Sequence, residues 1–329
     1  MTESAFHEFN WIARLRQKAG GGPRVPLGIG DDAALVWTAP TGGCLVTTDM
    51  LMEGTDFLFE ETPWSGAPIR RATPREVGRK ALAVNLSDIA AMAGNPTAVF
   101  VAVALPRRRC EEIADGLLDG IQDLAREYGV VLAGGDTNVW DGPLVVSITL
   151  LGEPTERGAV SRSGARPGDW LLATGAFGGS LLGRHLAFTP RVREAQALHR
   201  AVTLDALIDV SDGLAQDATH LARESGVGLR LDAEAIPIHA DARRMAVQSG
   251  RTALAHALSD GEDFELLLAV PADEAEGLIA TPSGGVPLSK IGEFTEAAGV
   301  RLRGADGTET PLVSAGWVHG VSGEQARPR

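Results

Sequence analysis

Acidic residues stand where this chain is otherwise most apolar, and they are the side chains best suited to chemistry. Asp32 closes the glycine-rich stretch GIGDD, and Asp88 lies within ALAVNLSDIAAMAG. Two hydroxyls and a carboxylate, Thr47, Thr48 and Asp49, end the apolar stretch CLVTTD. An ionised carboxylate is costly in apolar surroundings unless it is paired or binds a metal. These positions therefore predict either buried hydrogen-bond networks or metal ligands.

Three later segments repeat the combination of small residues and acids. They are AGGDT at 133–137, DVSDG at 209–213 and GEDFE at 261–265. Taken singly, each is also explained by an acidic turn or a helix cap, because Asp and Ser readily bond to nearby backbone amides. Together they favour a phosphate site with several Mg²⁺ ions, since Mg²⁺ prefers carboxylate, hydroxyl and water oxygens and commonly bridges to phosphates.

Motifs of other chemistries are missing from the sequence. There is no GxxxxGK[ST] loop, no GxGxxG after a strand, and no HExxH, CxxC or GxSxG motif. The seven histidines are scattered along the chain. We interpret each as a surface or core residue, and no general base is predicted.

Alternating helices and strands are expected to position the acids of the first half. Pro74 predicts the start of a helix that Gly94 and Pro96 close, and apolar spacing predicts a second helix over 111–128. Buried or half-buried strands are predicted at AVFVAVAL, VVLA and LVVSITLLGE. The segment GGDT is expected to be an acidic loop between the last two strands.

The second half repeats this mixture after a turn-rich stretch at 153–168. That stretch predicts a boundary between an N-terminal domain of residues 1–153 and a C-terminal domain of residues 154–329. Strands are predicted at DWLLATG, ALIDVSDG, GLRLD and FELLLAV, and helices at GGSLLGRHLAF and LAQDATHLARESG. The predicted fold class is α/β (α+β) with two domains.

Composition limits the classes of protein. At 329 residues, with 44% hydrophobic and 22% charged residues, the chain is expected to form two globular domains. A net charge of −13 argues against nucleic-acid binding, and no run approaches the ~20 apolar residues of a membrane span. The acidic start without an apolar core argues against a secretory signal, and two cysteines without metal spacing favour a reducing compartment. A cytoplasmic protein is expected.

In order, the motifs resemble those of the thiamine-monophosphate kinase family, within the aminoimidazole-ribonucleotide-synthetase-like ATP-binding superfamily. The resemblance covers about residues 8 to 320. It is carried by GIGDDAALV, TTDMLMEG, ALAVNLSDIAAMAGNP, GGDTN, SRSGARPGDWLLATG, IDVSDGLAQD, SDGEDFELLL and a final GW. The long NLSDIAAMAG string and the order of the series make it specific.

The resemblance implies an N-terminal domain that pairs with its copy in a homodimer, with ATP and several Mg²⁺ ions held where the two domains meet. The implied metal ligands are Asp32, Thr47, Thr48, Asp49, Asp88, Asp136, Asp209 and Asp212. The implied ATP contacts are Gly135, Asp136, Arg162 and Ser211. The implied contacts to thiamine monophosphate are Asp56, where the family often has histidine, Glu262, and Trp317, where it often has tyrosine or phenylalanine.

The implied activity is ATP-dependent phosphorylation of thiamine monophosphate to thiamine diphosphate by direct in-line transfer, the last step of thiamine diphosphate biosynthesis. A phosphate oxygen is already nucleophilic, which agrees with the absence of an evident base. Two alternatives stay open at this point. One is another ATP-using enzyme of the superfamily, such as a ribonucleotide synthetase or a hydrogenase-maturation dehydratase. The other is a non-catalytic protein that binds both ligands.

Overall fold

Two β-sheets form the framework of the chain. The computed structural model describes Ala13, Arg16 and residues 24–38, 43–59, 62–64, 67–280 and 285–312. The N-terminal sheet contains β1 (Ala34–Trp37), β2 (Gly43–Met52), β5 (Asn95–Pro106), β6 (Val131–Trp140) and β7 (Val145–Glu153), side by side in the order β1-β2-β7-β5-β6. Only β5 and β6 run parallel in this sheet. A separate hairpin pairs β3 (Thr62–Trp64) with β4 (Ala67–Ile69).

The C-terminal sheet is larger and is also mostly antiparallel. Its strands are β8 (Trp170–Thr174), β9 (Ala206–Asp209), β10 (Gly228–Asp232), β11 (Leu266–Val270), β12 (Leu288–Thr295), β13 (Gly299–Arg303) and β14 (Glu309–Pro311). Their order is β14-β13-β10-β12-β8-β11-β9. Strand β11 is buried along its whole length, which explains its continuous apolar sequence, because both of its faces are covered.

Helix α1 (Pro74–Ala91) lies between the two halves of the chain. Its start follows from its sequence: the Thr73 hydroxyl accepts the backbone N–H of Glu76, and the Glu76 carboxylate accepts that of Thr73. Pro74 occupies the first helical position, where no N–H is needed. The helix packs against β2 and β7 on one side and against β9 and helix α3 (Val192–Ala201) on another. Burial on nearly every side accounts for its apolar sequence.

Helix α2 (Cys110–Tyr128) packs closely along α1. A Cβ atom at Gly120 would lie 2.0 Å from the carbonyl oxygen of Arg75, and one at Gly78 would lie 2.2 Å from that of Leu117. The two glycines therefore allow the helix backbones to approach each other. Ile113, Leu117, Ile121 and Leu124 form the buried stripe of α2.

The other helices whose bounds are described belong to the second half. They are α4 (Leu214–Ser225), α5 (Ala240–Ser249), α6 (Ala253–Ser259) and α7 (Ala272–Ala280). One apolar cluster is shared by the two halves, since it contains Leu82 and Ile148 as well as Leu207 and Leu268. A second cluster, around Phe177 and Phe294, lies within the second half. Among the described residues, no helix has the length and apolar character needed to cross a membrane.

The predicted mixed α/β fold is confirmed, whereas two local predictions are wrong. The segment 178–188 was predicted to be a helix, but it contains two short 3-10 turns, Ser180–Leu182 and Arg184–Leu186. Gly178, Gly179 and Gly183 have φ values of 87°, 75° and 133°, which interrupt a helix.

The segment GGDT is strand rather than loop. Strand β6 runs through it in parallel register with β5, pairing Phe100 with Gly134 and Ala102 with Asp136. A Cβ atom at Gly135 would lie 1.9 Å from the carbonyl oxygen of Val101. The glycines that suggested a loop are therefore needed for close strand pairing.

Candidate active site

Three polar side chains on α1 form hydrogen bonds to other elements, and two of them, Lys80 and Ser87, reach the second half of the chain. Ser87 donates a hydrogen bond to Oδ2 of Asp209 at 2.5 Å, and Asp88 accepts one from the Thr47 hydroxyl. About two turns earlier, Lys80 donates to Oε1 of Glu262 at 2.6 Å. Residues seven and eight positions apart lie close together around a helix. One stripe of α1 thus contacts β2, β9 and the loop before β11.

The central feature is a group of three carboxylates, which we call the acidic cluster: Asp32, Asp88 and Asp209. One oxygen of each lies within 4.8 Å of the others. The three residues come from the loop before β1, from α1 and from the end of β9, so the cluster forms only when both halves are folded together. Asp49 lies beside it, close enough for the Asp49 and Asp88 carboxyl groups to shift each other's pKa.

Arg162 forms an ion pair with Asp32 of the acidic cluster. Its Nε lies 2.8 Å from Oδ2 of Asp32 and a terminal nitrogen lies 2.7 Å from Oδ1. This two-point pairing fixes the plane of the guanidinium. The backbone N–H of Arg162 also donates to Asp31 at 2.8 Å. Burial lowers the pKa of Arg162, but the charges of Asp32 and Asp209 outweigh it and hold the pKa above its ordinary value.

Burial and mutual repulsion raise the pKa values of the clustered carboxyl groups. For Asp88, burial is the larger cause, and the charges of Asp49, Asp209 and Asp32 raise its pKa further. Burial and the charge of Asp32 likewise raise the pKa of Asp209. Burial, with the charges of Asp56 and Asp32, raises the pKa of Asp49 to about 6. Several carboxylates cannot share so small a volume in ionised form unless a cation neutralises them.

The donor atoms of this site suit a hard divalent cation. They are carboxylate oxygens with the Thr47 hydroxyl beside them, which is the ligand set that Mg²⁺ prefers. Oδ2 of Asp49 is buried and makes no hydrogen bond within the described part of the chain. A buried carboxylate oxygen without a partner is costly, and a metal ion would satisfy it.

A second acidic group lies at the start of α4. It consists of Asp212, Asp217 and His220. Each offers one possible ligand atom, and these three atoms lie within 4.8 Å of one another. Oδ2 of Asp217 accepts the backbone N–H groups of Asp212 and Gly213, both at 3.1 Å. Burial and the charge of Asp212 raise the pKa of Asp217. Sequence reasoning missed Asp217, although it follows Asp212 within IDVSDGLAQD.

The predicted substrate residues Asp56 and Glu262 meet at one ammonium group. Lys80 donates to the backbone carbonyl of Asp56 at 2.7 Å as well as to Glu262. The Asp56 carboxylate accepts the backbone N–H of Met52 at 2.7 Å, which closes the turn after β2. The backbone N–H of Glu262 donates to the carbonyl of Ser211 at 2.7 Å. The predicted substrate loop is thereby joined to the predicted ATP-binding segment.

Thr48, Gly135 and Asp136 are not brought to the acidic cluster. Thr47 and Asp49 face α1, whereas the Thr48 hydroxyl lies on the other face of the sheet and donates to the Ile148 carbonyl at 3.1 Å. The pairing of Ala102 with Asp136 puts the Asp136 side chain on that outer face too, where it accepts from Asn138 at 3.3 Å. Gly135 lies beside it on exposed strand β6. Their implied ligand roles stay predictions.

Trp317 lies outside the described residues, so its contact to substrate also stays a prediction. Besides Asp217, sequence reasoning missed Lys80 and Ser87. Both stand in the apolar helix sequence GRKALAVNLSD, where a charged side chain was a usable signal for Lys80. Ser87 gave no such signal, because a serine within a helix is ordinary.

Comparisons with known proteins define the class and then the family. Residues 30–153 match the family model for the AIR synthase related protein, N-terminal domain, and residues 148–305 match that for the C-terminal domain. The chain is thus a protein of the two-domain AIR synthase related class, as its fold and its shared site indicate.

Individual relatives narrow this class. A thiamine-monophosphate kinase from Rhodopirellula baltica is 42% identical over 320 residues, which cover 95% of this chain and 97% of the relative. The solved structure of AaThiL complexed with AMPPCP and TMP has a TM-score of 0.80 at 27% identity, covering 95% of this chain and 97% of that one. This chain belongs to the thiamine-monophosphate kinase family, which confirms the family predicted from its motifs.

A more distant likeness concerns the fold alone. The hydrogenase maturation protein HypE has a TM-score of 0.69 at 20% identity, covering 94% of this chain and 98% of that chain. The hydrogenase-maturation protein thus shares the fold of this chain, and this likeness carries no statement about activity.

Proposed function

We infer that this chain phosphorylates thiamine monophosphate with ATP and forms thiamine diphosphate. The observation that carries this inference is the acidic cluster, assembled from both halves of a chain that is 42% identical to a thiamine-monophosphate kinase. Phosphoryl transfer needs charge neutralisation and positioning more than covalent chemistry by the protein. A buried group of carboxylates at the junction of two halves meets that need once cations are bound.

The residues that would hold Mg²⁺ are those whose oxygens converge on the acidic cluster. They are Asp32, Thr47, Asp49, Asp88 and Asp209, with Asp212 nearby at the start of α4. When bound, Mg²⁺ supplies positive charge that offsets the phosphates of ATP and holds them in place. Asp217, which orders the backbone at Asp212 and Gly213, keeps this segment in shape.

The protein side chains orient the reactants rather than move protons. Arg162, fixed by Asp32, places a lasting positive charge at the site and offsets charge on ATP. The acceptor is a phosphate oxygen of thiamine monophosphate, which needs no general base. Burial and the charge of Lys80 lower the pKa of His185 to about 3, so its ring is neutral at pH 7. The Nδ1 atom of this ring lies 2.9 Å from the Ser180 carbonyl, a structural contact.

Asp56 and Glu262 are proposed to hold the thiamine end of the substrate. The thiazolium ring is cationic and the aminopyrimidine ring carries hydrogen-bond donors, so carboxylates suit both. This proposal is supported by the position of the two residues. Both accept hydrogen bonds from the Lys80 ammonium group, although they come from different halves of the chain. Trp317 is proposed to cover a ring of the substrate by stacking and cation–π attraction.

We also propose that the chain forms a homodimer through the outer face of the N-terminal sheet and its edge strand β6. Large apolar side chains are exposed there: Met50, Met52, Phe100, Val131, Val139 and Trp140. Such an exposed face, beside a strand edge that pairs with no described strand, is costly to leave in water, and a second copy of the chain would cover it. Thr48 and Asp136 face the same surface, so their roles as ligands depend on the second copy.

The activity is tested with purified protein, ATP, Mg²⁺ and thiamine monophosphate, with the product analysed by chromatography. We expect thiamine diphosphate, and little product when free thiamine replaces thiamine monophosphate, because the proposed acceptor is a phosphate oxygen and none of the described residues is an evident base for a hydroxyl. Equal rates on both acceptors would overturn the mechanism. Binding of both ligands without product would favour the non-catalytic alternative.

A further inference from the structure

Lys80 is a buried ionisable group that the proposed reaction does not use. Its side chain is completely buried within α1, in an otherwise apolar stretch. A lysine is almost never fully buried unless it is paired, because removing an ammonium group from water is costly. Its burial therefore requires partners, and the kind of partner indicates its role.

Both partners of Lys80 are residues proposed to bind substrate. Its Nζ lies 2.6 Å from Oε1 of Glu262 and 2.7 Å from the backbone carbonyl of Asp56. These partners lie in different halves of the chain, one in the turn after β2 and the other in the loop before β11. A single ammonium group thus sets the distance between the two.

The Glu262 loop is built to hold its side chain against Lys80. Glu262 has a φ of 53° and Phe264 one of 51°, in the left-handed region that non-glycine residues seldom occupy. Backbone hydrogen bonds to Ser211 at 2.7 Å and Val210 at 2.8 Å maintain this conformation. Strained backbone of this kind persists only where the surroundings impose it, and it is concentrated at functional sites.

The two oxygens of the Glu262 carboxylate have different environments. Oε1 accepts the short hydrogen bond from Lys80, whereas Oε2 is buried and makes no hydrogen bond within the described residues. A purely structural ion pair would be expected to satisfy both oxygens, because a buried acceptor without a donor is costly. Oε2 is thus free to accept a donor from a bound molecule.

We propose that Lys80 is a positioning residue for thiamine monophosphate. It holds the Glu262 carboxylate and the Asp56 turn as one unit and so directs Oε2 of Glu262 towards a donor of the substrate's thiamine moiety. This inference rests on the proposed function, since it concerns the substrate of that reaction. Lys80 acts through Glu262 and does not itself touch the reacting phosphates.

The first test is the variant Lys80→Met, which keeps the length and apolar stem but removes the ammonium group. We expect the KM for thiamine monophosphate to rise about tenfold or more, with the KM for ATP within about twofold, because only one substrate loses an oriented partner. Calorimetry with thiamine monophosphate alone should give a similar rise in Kd. The matched control is Lys290→Met, whose Nζ lies 3.4 Å over the Trp170 ring on the C-terminal sheet, and it should leave both KM values unchanged.

A double-mutant cycle separates positioning from mere structural support. Glu262→Gln retains an oxygen for Lys80 but puts an N–H donor in place of Oε2, so on its own it should raise the KM for thiamine monophosphate. In the Glu262→Gln background, Lys80→Met should add little further, because the two residues act as one unit. Fully additive effects would overturn the proposal, and so would a Lys80→Met variant with a lower Tm but an unchanged KM.

The remaining outcomes are also decisive. If Lys80→Met does not fold, Glu262→Gln still tests the proposal, because a normal KM for thiamine monophosphate in that variant contradicts it. If the unmodified protein makes no thiamine diphosphate, the proposed function itself fails. If the unmodified protein turns over and both variants have a normal KM for thiamine monophosphate, the role of Lys80 is contradicted and the proposed function stands.

Discussion

Asp88 lies among several other acidic side chains in a buried part of the structure. It accepts a hydrogen bond from Thr47, and one of its oxygens lies within 4.8 Å of an oxygen of Asp32 and of Asp209. The charge of Asp49 also acts on it. Without bound cations these acids repel one another in a buried volume. This repulsion lowers the stability of the metal-free protein, as is common where residues are retained for function.

Replacement of Asp88 by asparagine should separate stability from activity. We expect Asp88→Asn to raise the Tm of the metal-free protein near neutral pH by about 1–2 °C for each kcal/mol of repulsion relieved. Turnover and the rise in Tm on adding Mg²⁺ should be lost, because the amide keeps the shape but not the charge. Exposed Asp115 on α2 is the matched control, and Asp115→Asn should change neither. Mg²⁺-dependent turnover by Asp88→Asn would rule out a ligand role.

The raised pKa values predict how Mg²⁺ stabilisation depends on pH. The pKa of Asp49 rises from 3.8 to about 6 on folding, so the folded metal-free state favours the protonated acid. The Asp49 carboxyl group therefore contributes most to the stability of the metal-free folded state at low pH, and this contribution is lost as the pH rises through about 6. Mg²⁺ competes with the bound protons, so the gain in Tm should be larger near pH 7.5 than near pH 5. Thermal unfolding with and without Mg²⁺ measures this, and equal gains at both pH values would contradict it.

For single residues, the acidic residues of the site were easier to predict from the sequence than the side chains that pair with them. Asp32, Asp49, Asp88 and Asp209 were identified because charged residues interrupt apolar strings. The pairing of Asp32 with Arg162 joins residues about 130 positions apart and depends on how the two halves pack. Local sequence carries no signal for such a contact.

Among the elements, α1 and α2 pack closely because glycines lie between their backbones. At Gly120 there is no room for a methyl group beside the Arg75 carbonyl. The polar stripe of α1 is placed by this contact on one side and by β2 on the other. Close helix packing therefore supports the site indirectly.

Gly120→Ala should destabilise the protein by about 1–3 kcal/mol, because its Cβ would lie 2.0 Å from a backbone oxygen and the helices would have to separate. The matched control is Gly277→Ala in α7, where nothing lies within 4 Å of the added Cβ. That change should be neutral or stabilising by up to about 1 kcal/mol, since alanine favours helix. Denaturant unfolding measures both, and similar effects would show that α1 and α2 have space between them.

Elements with regular periodicity were predicted well, and glycine-rich ones were not. The stripe of Ile113, Leu117, Ile121 and Leu124 identified α2 to within one residue. In contrast, the glycines of GGDT and of 178–188 have opposite uses, close strand pairing in one case and positive φ in the other. Glycine allows both, so only tertiary structure decides between them.

For the whole molecule, the outer face of the N-terminal sheet predicts the oligomeric state. The protein should elute as a dimer of about twice 34.4 kDa in size exclusion with light scattering. Phe100→Lys places a charge on the outer face, in the proposed interface, and should shift the protein towards monomer, with loss of activity. Val247→Lys, at an 87% exposed position on α5, is the matched control and should stay dimeric. A fully active monomer would contradict the proposed interface.

The apolar cluster shared by the two halves has a consequence for how the chain folds during its synthesis. Leu82 and Ile148 from the first half are fully packed only when Leu207 and Leu268 from the second half have joined the same cluster. While the ribosome is still making the second half, the first half has an open apolar surface, and Lys80 lacks its ion-pair partner Glu262. We therefore expect residues 1–153 made alone to aggregate or to need a chaperone, and the native state to form late and in one cooperative step.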